Sequence, residues 1–424
     1  MAFFALAPSG NAVSVASMLV TGLDFEPDFS DHCGFPEKRT LLTDSATAAL
    51  YVALRGLASP GPALRGVAVP AWCCPSVPQA VLQAGLRPVP VDMDPSTLSY
   101  DSQALREARK KGLLAVVLVH FFGIPHPIPA GDWGDTVFLR DCAQDFDYRR
   151  ADGEALACFY SFGRGKALNA GHGGALCLPG EGPWSDACRA VWEALPVSRS
   201  RPLLKAAAIN WLSHPRIFWA LARLPFLGIG KTVWEAPLAF ARLAPGFFPV
   251  GSACLRAYAG RRPFFHRVVG DYRNLFAACS PRFLILPDSL DAIDAGGAGV
   301  GRASGDRLPV RFPVLVRDAR LRETLLREMN RRFGGVTVQY PATLPSLPGA
   351  PGEVRAAGPF PGAEQIAREI LTFPVTAALQ GRLGPFFTFL EEILRGAGAL
   401  PEGPIPGGES PQRAPGRQGL FQVT

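Results

Sequence analysis

Residues 115–141 read AVVLVHFFGIPHPIPAGDWGDTVFLRD and contain two short apolar segments, 115–120 and 136–140, each typical of a buried β-strand. Further strands are predicted at 67–69, 88–91, 155–160 and 174–178, and helices at 45–57, 76–84 and 102–111. Short, nearly continuous apolar strands that alternate with helices indicate a parallel sheet covered on both faces. The sequence therefore predicts a doubly wound α/β domain, a fold that binds ligands at the carboxyl ends of its strands.

The later part of the chain has the pattern of a second, smaller α/β domain. Strands are predicted at 310–316, 336–339 and 371–376, and helices at 319–332 and 385–395. We expect a large domain over residues 1–255 and a small domain over 256–396. Residues 397–424 are rich in Pro, Gly and Arg, a composition that predicts disorder.

Residues 200–250 are apolar and aromatic but are interrupted by scattered basic residues. A membrane-spanning helix needs about 20 consecutive apolar residues, and Pro215 and Pro225 would also break such a helix. The segment is therefore predicted to be a helical insertion. It would be buried against the rest of the protein or a second subunit, or would lie as an amphipathic patch on a membrane.

The overall composition excludes several classes of protein. The chain has 424 residues, a net charge of +7 and no dense run of Lys or Arg, so nucleic-acid binding is not expected. Its nine cysteines are irregularly spaced and form no zinc-binding pattern, which predicts free thiols and no metal site. The short apolar N-terminus lacks the basic region of a signal peptide, and we expect a cytoplasmic protein.

The segment SFGRGKALNAGHGGAL, residues 161–176, places Lys166 in a Gly-containing turn just after a predicted strand. An apolar site disfavours the ammonium form of a lysine and leaves a free amine that can attack an aldehyde. This amine is what a pyridoxal phosphate (PLP) enzyme requires of its lysine. A solvated surface lysine is the alternative interpretation.

Two other segments add to this hypothesis. Asp141 ends a predicted strand, where its carboxylate could face the pyridine nitrogen of PLP or merely cap the following turn. The helix start DSATAAL, residues 44–50, offers hydroxyl groups and unpaired N–H groups for a phosphate, although ordinary helix capping predicts the same residue types. The order of phosphate site, aspartate and lysine along the chain favours a PLP site.

Taken together, these motifs resemble the DegT/StrS-type family of PLP-dependent aminotransferases. The resemblance rests on SATAAL (45–50), the segment 66–101, LVHFFGIP (118–125), DCAQ (141–144), SFGRGK (161–166), GHGGAL (171–176), VQYPATL (338–344) and ILTFPV (370–375). It implies fold type I: a large domain with a mostly parallel seven-stranded sheet and a smaller C-terminal α/β domain. It also implies a homodimer that binds PLP.

The resemblance also implies roles for individual residues. Lys166 would form the Schiff base and move the substrate proton, Asp141 would bind the pyridine nitrogen, and Gln144 would lie near the phenolic oxygen. Ser45, Ala46, Thr47 and Ser161 would hold the phosphate. The ring-stacking aromatic of the family falls at Cys74, with Trp72 two residues earlier, so that either residue could contact the ring.

The expected activity is transfer of an amino group from an amino acid such as glutamate to a carbonyl acceptor, for which a keto-sugar nucleotide of surface polysaccharide synthesis is one candidate. A dehydratase or other lyase, and a non-catalytic membrane-associated protein, are the alternatives. Two departures bear on the substrate. FFPVGSACLRAYAG (247–260) stands where the family has an Asn-Tyr-Arg segment, and the 200–250 insertion is unusually apolar.

Overall fold

The structure is a computed structural model. It describes residues 6, 25–36, 39–58, 66–149, 157–221, 232, 234, 237–293, 307–355 and 357–403. The predicted disorder of the tail concerns residues that mostly lie outside these ranges, from 404 onward.

A seven-stranded sheet forms the centre of the large domain, in the strand order β1-β9-β8-β7-β6-β2-β3. Strands β3, β2, β6, β7 and β8 run parallel, whereas β9 is antiparallel to both β8 and β1. The mostly parallel seven-stranded sheet predicted from the resemblance is therefore confirmed. The strands are β1 (Thr40–Thr43), β2 (Gly66–Pro70), β3 (Arg87–Val91), β4 (Met93–Asp94), β5 (Ser99–Tyr100), β6 (Leu113–Val119), β7 (Val137–Asp141), β8 (Ala157–Ser161), β9 (Gly174–Cys177), β10 (Leu284–Ile285), β11 (Arg311–Val316) and β12 (Ile370–Pro374).

Helices cover the sheet and link it to the C-terminal part of the chain. They are α1 (Phe25–Cys33), α2 (Ala46–Leu57), α3 (Ser76–Gln83), α4 (Ser102–Lys110), α5 (Pro183–Ala194), α6 (Pro202–Leu212), α7 (Pro215–Leu221), α8 (Phe248–Ala277), α9 (Ala319–Arg332), α10 (Gly352–Arg355), α11 (Pro361–Glu369) and α12 (Leu383–Gly396). Helix α2 is almost wholly apolar, with Arg55 as its charged residue, and most of its surface is buried against β9, α3 and α5.

The C-terminal part contains an antiparallel sheet in the order β10-β11-β12, covered by α9, α11 and α12. Its aromatic core includes Tyr272 of α8, which stacks on Phe312 and contacts Phe373. Because α8 is a continuous helix of 30 residues, it crosses the boundary placed at 255/256, and that division stays a prediction.

One predicted element, the strand at 336–339, is absent from the structure. Residues 336–339 do not form a strand, because Gly334 and Gly335 both adopt positive φ and leave only a single bridge, from Thr337 to Thr372. Pro263 lies inside α8, where a proline normally interrupts a helix. The described part of the insertion forms α6, which ends at Leu212, and α7, which begins at Pro215, so the helix is interrupted at this proline as predicted.

Gly174 of β9 permits the close approach on which the start of α2 depends. A β-carbon at this position would lie 2.5 Å from both the nitrogen of Ala46 and the carbonyl carbon of Ser45. Both atoms belong to backbone that the sheet and the helix hold in place, so neither can move cheaply.

We expect Gly174→Ala to lower the free energy of unfolding by about 1–3 kcal/mol, the usual range for overpacking. Denaturant titration measures this change. Gly180→Ala is the matched control, because no atom lies within 4 Å of its added carbon. Equal stability of the two variants would contradict the close packing of β9 on α2.

Candidate active site

A cavity of about 150 Å³ opens at the carboxyl ends of the central parallel strands. A cavity needs roughly 10–15 Å³ to hold one water molecule, so this one has room for a small organic molecule. Eight of the nine predicted site residues line it: Ser45, Ala46, Thr47, Cys74, Asp141, Gln144, Ser161 and Lys166. Trp72 is not among the lining residues.

The start of α2 forms one end of the cavity. Ser45 is the N-cap residue, and its hydroxyl oxygen accepts a hydrogen bond of 3.1 Å from the N–H of Ala48. Ala46 and Thr47 occupy the first two positions of the helix, where backbone N–H groups have no partner within the helix. The helix dipole and these N–H groups favour an anion at this end.

Asp141 ends β7, and only 5% of its surface is exposed. One carboxylate oxygen accepts a hydrogen bond of 2.9 Å from the N–H of Ala143. Burial raises the pKa of the Asp141 carboxyl to about 6, although the N–H bond from Ala143 and the charge of Lys166 both act to lower it. The protein thus keeps an acidic group in a site that disfavours its charge.

Lys166 lies in the loop that follows β8, and hydrogen bonds close this loop at both ends. The N–H of Phe162 donates to the carbonyl of Gly173, and the carbonyl of Phe162 accepts from the N–H of Ala170. The ring of Phe162 is buried against Phe25 and Phe29. This anchored loop brings Lys166 to the cavity that Asp141 lines, and the two charges attract each other.

Cys74 and Trp72 have different surroundings. Cys74 lines the cavity, and its sulfur lies 3.0 Å from the hydroxyl oxygen of Ser76. Trp72 is fully buried, and its indole N–H donates a 2.8 Å hydrogen bond to the carbonyl of Tyr340. Of the two residues proposed to contact a bound ring, only Cys74 is at the cavity surface.

Tyr340 is a lining residue that the sequence did not identify as functional. Its hydroxyl oxygen accepts a hydrogen bond of 3.3 Å from the Gln144 amide, and its backbone has a φ of 49°, which is rare outside glycine. Strained backbone of this kind is concentrated at functional sites. The segment VQYPATL resembled the family, but no local signal showed that Tyr340 reaches a loop nearly 200 residues earlier.

The two histidines near the site hydrogen bond to protein groups and do not line the cavity. A nitrogen of His120 lies 2.7 Å from a carboxylate oxygen of Asp145, and a nitrogen of His172 lies 2.7 Å from the hydroxyl of Ser200. Burial lowers the pKa of His172 to about 4. Within the described ranges, no group of three or more His, Cys, Asp or Glu side chains is arranged to hold a metal ion.

Comparison with known proteins agrees with this geometry. A sequence model of the DegT/DnrJ/EryC1/StrS aminotransferase family matches residues 19–189, which include every predicted site residue. This part of the chain is similar to that family. Over 107 residues it is 31% identical to dTDP-4-dehydro-2,3,6-trideoxy-D-glucose 4-aminotransferase from Saccharopolyspora spinosa, covering 25% of this chain and 27% of that protein. The chain covers less than half of the length of the curated relatives that it matches.

Solved structures of this fold align over most of the chain. Aminotransferase TlmJ from Streptoalloteichus hindustanus aligns with a TM-score of 0.61 and 19% identity, over 93% of this chain and all of that one. NtdA from Bacillus subtilis, solved with bound cofactor PMP, aligns with a TM-score of 0.58 and 16% identity, over 90% of this chain and 84% of that one. At these identities the likeness establishes the fold, which is that of the fold type I aminotransferases.

The burial of Asp141 predicts a pH-dependent change in stability. In the cofactor-free protein the folded pKa near 6 exceeds the value of 3.8 for an unperturbed aspartate, so the charged carboxylate destabilises the folded state as pH rises through this window. We expect Asp141→Asn to raise the free energy of unfolding by up to about 3 kcal/mol at pH 8, with the gain shrinking toward pH 4.

Denaturant titration at the two pH values tests this effect. Asp132→Asn is a matched control, because the exposed Asp132 carboxylate accepts a bond from the N–H two residues later, as Asp141 does. A gain that is equal at both pH values, or no gain at all, would show that the Asp141 carboxylate carries no burial cost.

Proposed function

We propose that the protein is a PLP-dependent aminotransferase that moves an amino group from an amino acid, glutamate being our candidate, to a carbonyl acceptor. The observation that carries this proposal is that Lys166 and the buried Asp141 line one cavity together with the N-terminal end of α2. This combination supplies an amine, a carboxylate and an anion site. Those are the three groups that PLP requires from a protein.

The residues present fit this cofactor. The Asp141 carboxylate, held out of water, would gain a partner in a protonated pyridine nitrogen, and that pairing would offset its burial cost. Ser45, Thr47, Ser161 and the N–H groups at the start of α2 would hold the phosphate. Gln144, which also donates to Tyr340, would lie near the phenolic oxygen.

Bound PLP supplies an electron sink for the bonds at the substrate Cα. The amine of Lys166 would hold the cofactor between reactions and, once released by substrate, would carry the Cα proton as a general acid and base. Asp141 would keep the ring nitrogen protonated. The cavity walls Val119, Phe159 and Leu50 are apolar and limit the access of water.

A keto-sugar nucleotide is our proposed acceptor, because the relative from Saccharopolyspora spinosa is named for amino transfer to a nucleotide-linked sugar. A lyase on the same scaffold is the alternative activity. All nine cysteines are free thiols and eight are buried, which supports the proposed cytoplasmic location.

Lys166→Ala should abolish the absorbance near the violet edge of the visible range that bound PLP gives when a lysine holds it. Lys166→Arg is the control for charge, because it keeps a cation but cannot bond the cofactor in the same way. Glutamate added to the wild type should convert the cofactor to its amine form, whereas a lyase would leave that form unpopulated. Retention of the absorbance in Lys166→Ala would refute the assignment.

We also propose that the protein forms a homodimer through α6 and α7. Leu204 and Trp211 are 63% and 64% exposed, although both side chains are large and apolar. This face adjoins the Lys166 loop, because Ile209 packs against Gly171 and the hydroxyl of Ser200 hydrogen bonds to His172.

None of the helices in the described ranges combines the length and apolar character that a membrane-spanning segment needs.

The double variant Leu204→Glu/Trp211→Glu should shift the protein toward the monomer in size-exclusion chromatography with light scattering, because each glutamate would have to be buried at the interface. Ile128→Glu, at an exposed apolar side chain elsewhere, should leave the dimer intact.

Membrane binding is the competing explanation for this face, because residues 194–234 contain six Lys or Arg residues and no acidic residue. If the double variant instead stays dimeric and loses binding to anionic vesicles, the face binds membranes and this proposal is wrong.

A further inference from the structure

We propose that Asp145 and Asp147 are positioning residues that fasten the ring-binding loop to α8 and to the C-terminal part of the chain. The loop, residues 141–148, carries Asp141 and Gln144, so this inference rests on the function proposed above. We call the two carboxylates and their partners the clasp. The sequence motifs predict no role for either residue.

The loop divides its side chains between two sides. Asp141, Ala143 and Gln144 line the cavity. Asp145 and Asp147 do not line the cavity, and yet only 1% and 5% of their side-chain surfaces are exposed. Two carboxylates that are removed from water without reaching the cavity require another explanation, since a buried charge is costly unless it is paired.

Asp145 is bound by groups from two distant parts of the chain. One of its oxygens lies 2.7 Å from Nδ1 of His120, which follows β6, and 3.5 Å from a guanidinium nitrogen of Arg307, which precedes β11. The N–H of His120 also donates a 3.0 Å hydrogen bond to the carbonyl of Asp141. His120 therefore connects Asp145 directly to the backbone of the ring-binding residue.

Asp147 makes the second set of attachments. It accepts hydrogen bonds from the hydroxyl of Tyr258 at 2.6 Å and from the N–H of Leu308 at 3.1 Å, and it forms an ion pair with Arg262. Tyr258 and Arg262 are one turn apart on α8. A single carboxylate thus joins the long helix and the C-terminal part of the chain to the loop.

Tyr148 closes the clasp. The guanidinium groups of Arg140 and Arg307 lie 5.2 Å and 5.3 Å from the centre of its ring, within the range of a cation–π contact. Its carbonyl accepts a 3.0 Å hydrogen bond from the hydroxyl of Tyr160, in β8. Ion pairs, hydrogen bonds and ring contacts therefore hold the end of the loop that is farther from Asp141.

This buried network is a poor way to gain stability, because well-packed apolar side chains often do as well. What it can supply is a single fixed position for the loop. Catalysis and cofactor binding depend on placement to within about 1 Å. The side chains of Asp141 and Gln144 make few hydrogen bonds of their own: the Asp141 carboxylate accepts from the N–H of Ala143, and the Gln144 amide accepts from the N–H of Phe122 and donates to Tyr340.

The test compares Asp147→Asn with Asp92→Asn in the full chain. Asp92 is the matched control, because its carboxylate also joins the large domain to the C-terminal part, accepting from the N–H groups of Gly362 and Ala363, but it lies outside the loop. We expect Asp147→Asn to weaken PLP binding roughly tenfold, a size typical of coupling within one hydrogen-bond network. Asp92→Asn should change stability and leave the dissociation constant for PLP unaltered.

A double-mutant cycle shows whether the effect passes through the ring-binding residue. The losses of PLP affinity from Asp147→Asn and Asp141→Asn should be non-additive, whereas those from Asp92→Asn and Asp141→Asn should add. An unchanged PLP affinity in Asp147→Asn, with a stability loss like that of Asp92→Asn, would overturn the inference.

Amide hydrogen exchange separates this inference from the proposed function. Loss of the clasp should raise the exchange rate of the Ala143 and Tyr148 amides, which the loop holds in hydrogen bonds, in Asp147→Asn but not in Asp92→Asn. A wild-type protein that binds no PLP would refute the proposed function, while the exchange rates would still support or reject the clasp.

Discussion

The Asp141 carboxylate lies almost entirely out of water at the carboxyl end of β7, with the charge of Lys166 acting on it across one cavity. Burial of a carboxylate destabilises a cofactor-free protein at neutral pH, and the folded chain compensates for it elsewhere. The parallel sheet brings β7 and β8 side by side so that both residues arrive at the same edge. The close packing of β9 on α2, which only a glycine at 174 permits, adds the anion site.

Much of this arrangement could be predicted from local sequence. Apolar runs of the right length located most of the central strands, and Asp141 and Lys166 were identifiable because each follows such a run. In a parallel sheet, residues after strands meet at one edge regardless of their separation in sequence. That rule explains why eight of the nine predicted residues line the cavity.

Long-range contacts and local exceptions could not be predicted in this way. Tyr340 reaches Gln144, and Arg307 reaches Asp145, through tertiary packing that no periodicity encodes. Helix α8 continues through Pro263, against the local preference of proline, because tertiary packing of its buried face outweighs that preference. The prediction of a strand at 336–339 was wrong, since two glycines with positive φ redirect the backbone just before it. Trp72, one of the two residues that could contact the ring, is fully buried and donates its indole N–H to the carbonyl of Tyr340.

The most direct measurement of the central claim is borohydride reduction of the PLP-loaded protein followed by peptide mapping, because reduction fixes the cofactor permanently on the amine that holds it. The sequence has six lysines, at 38, 110, 111, 166, 205 and 231, so the outcome is discriminating. The account predicts the added mass on the peptide that contains Lys166 and on no other. Modification of any other lysine in place of Lys166 would contradict it.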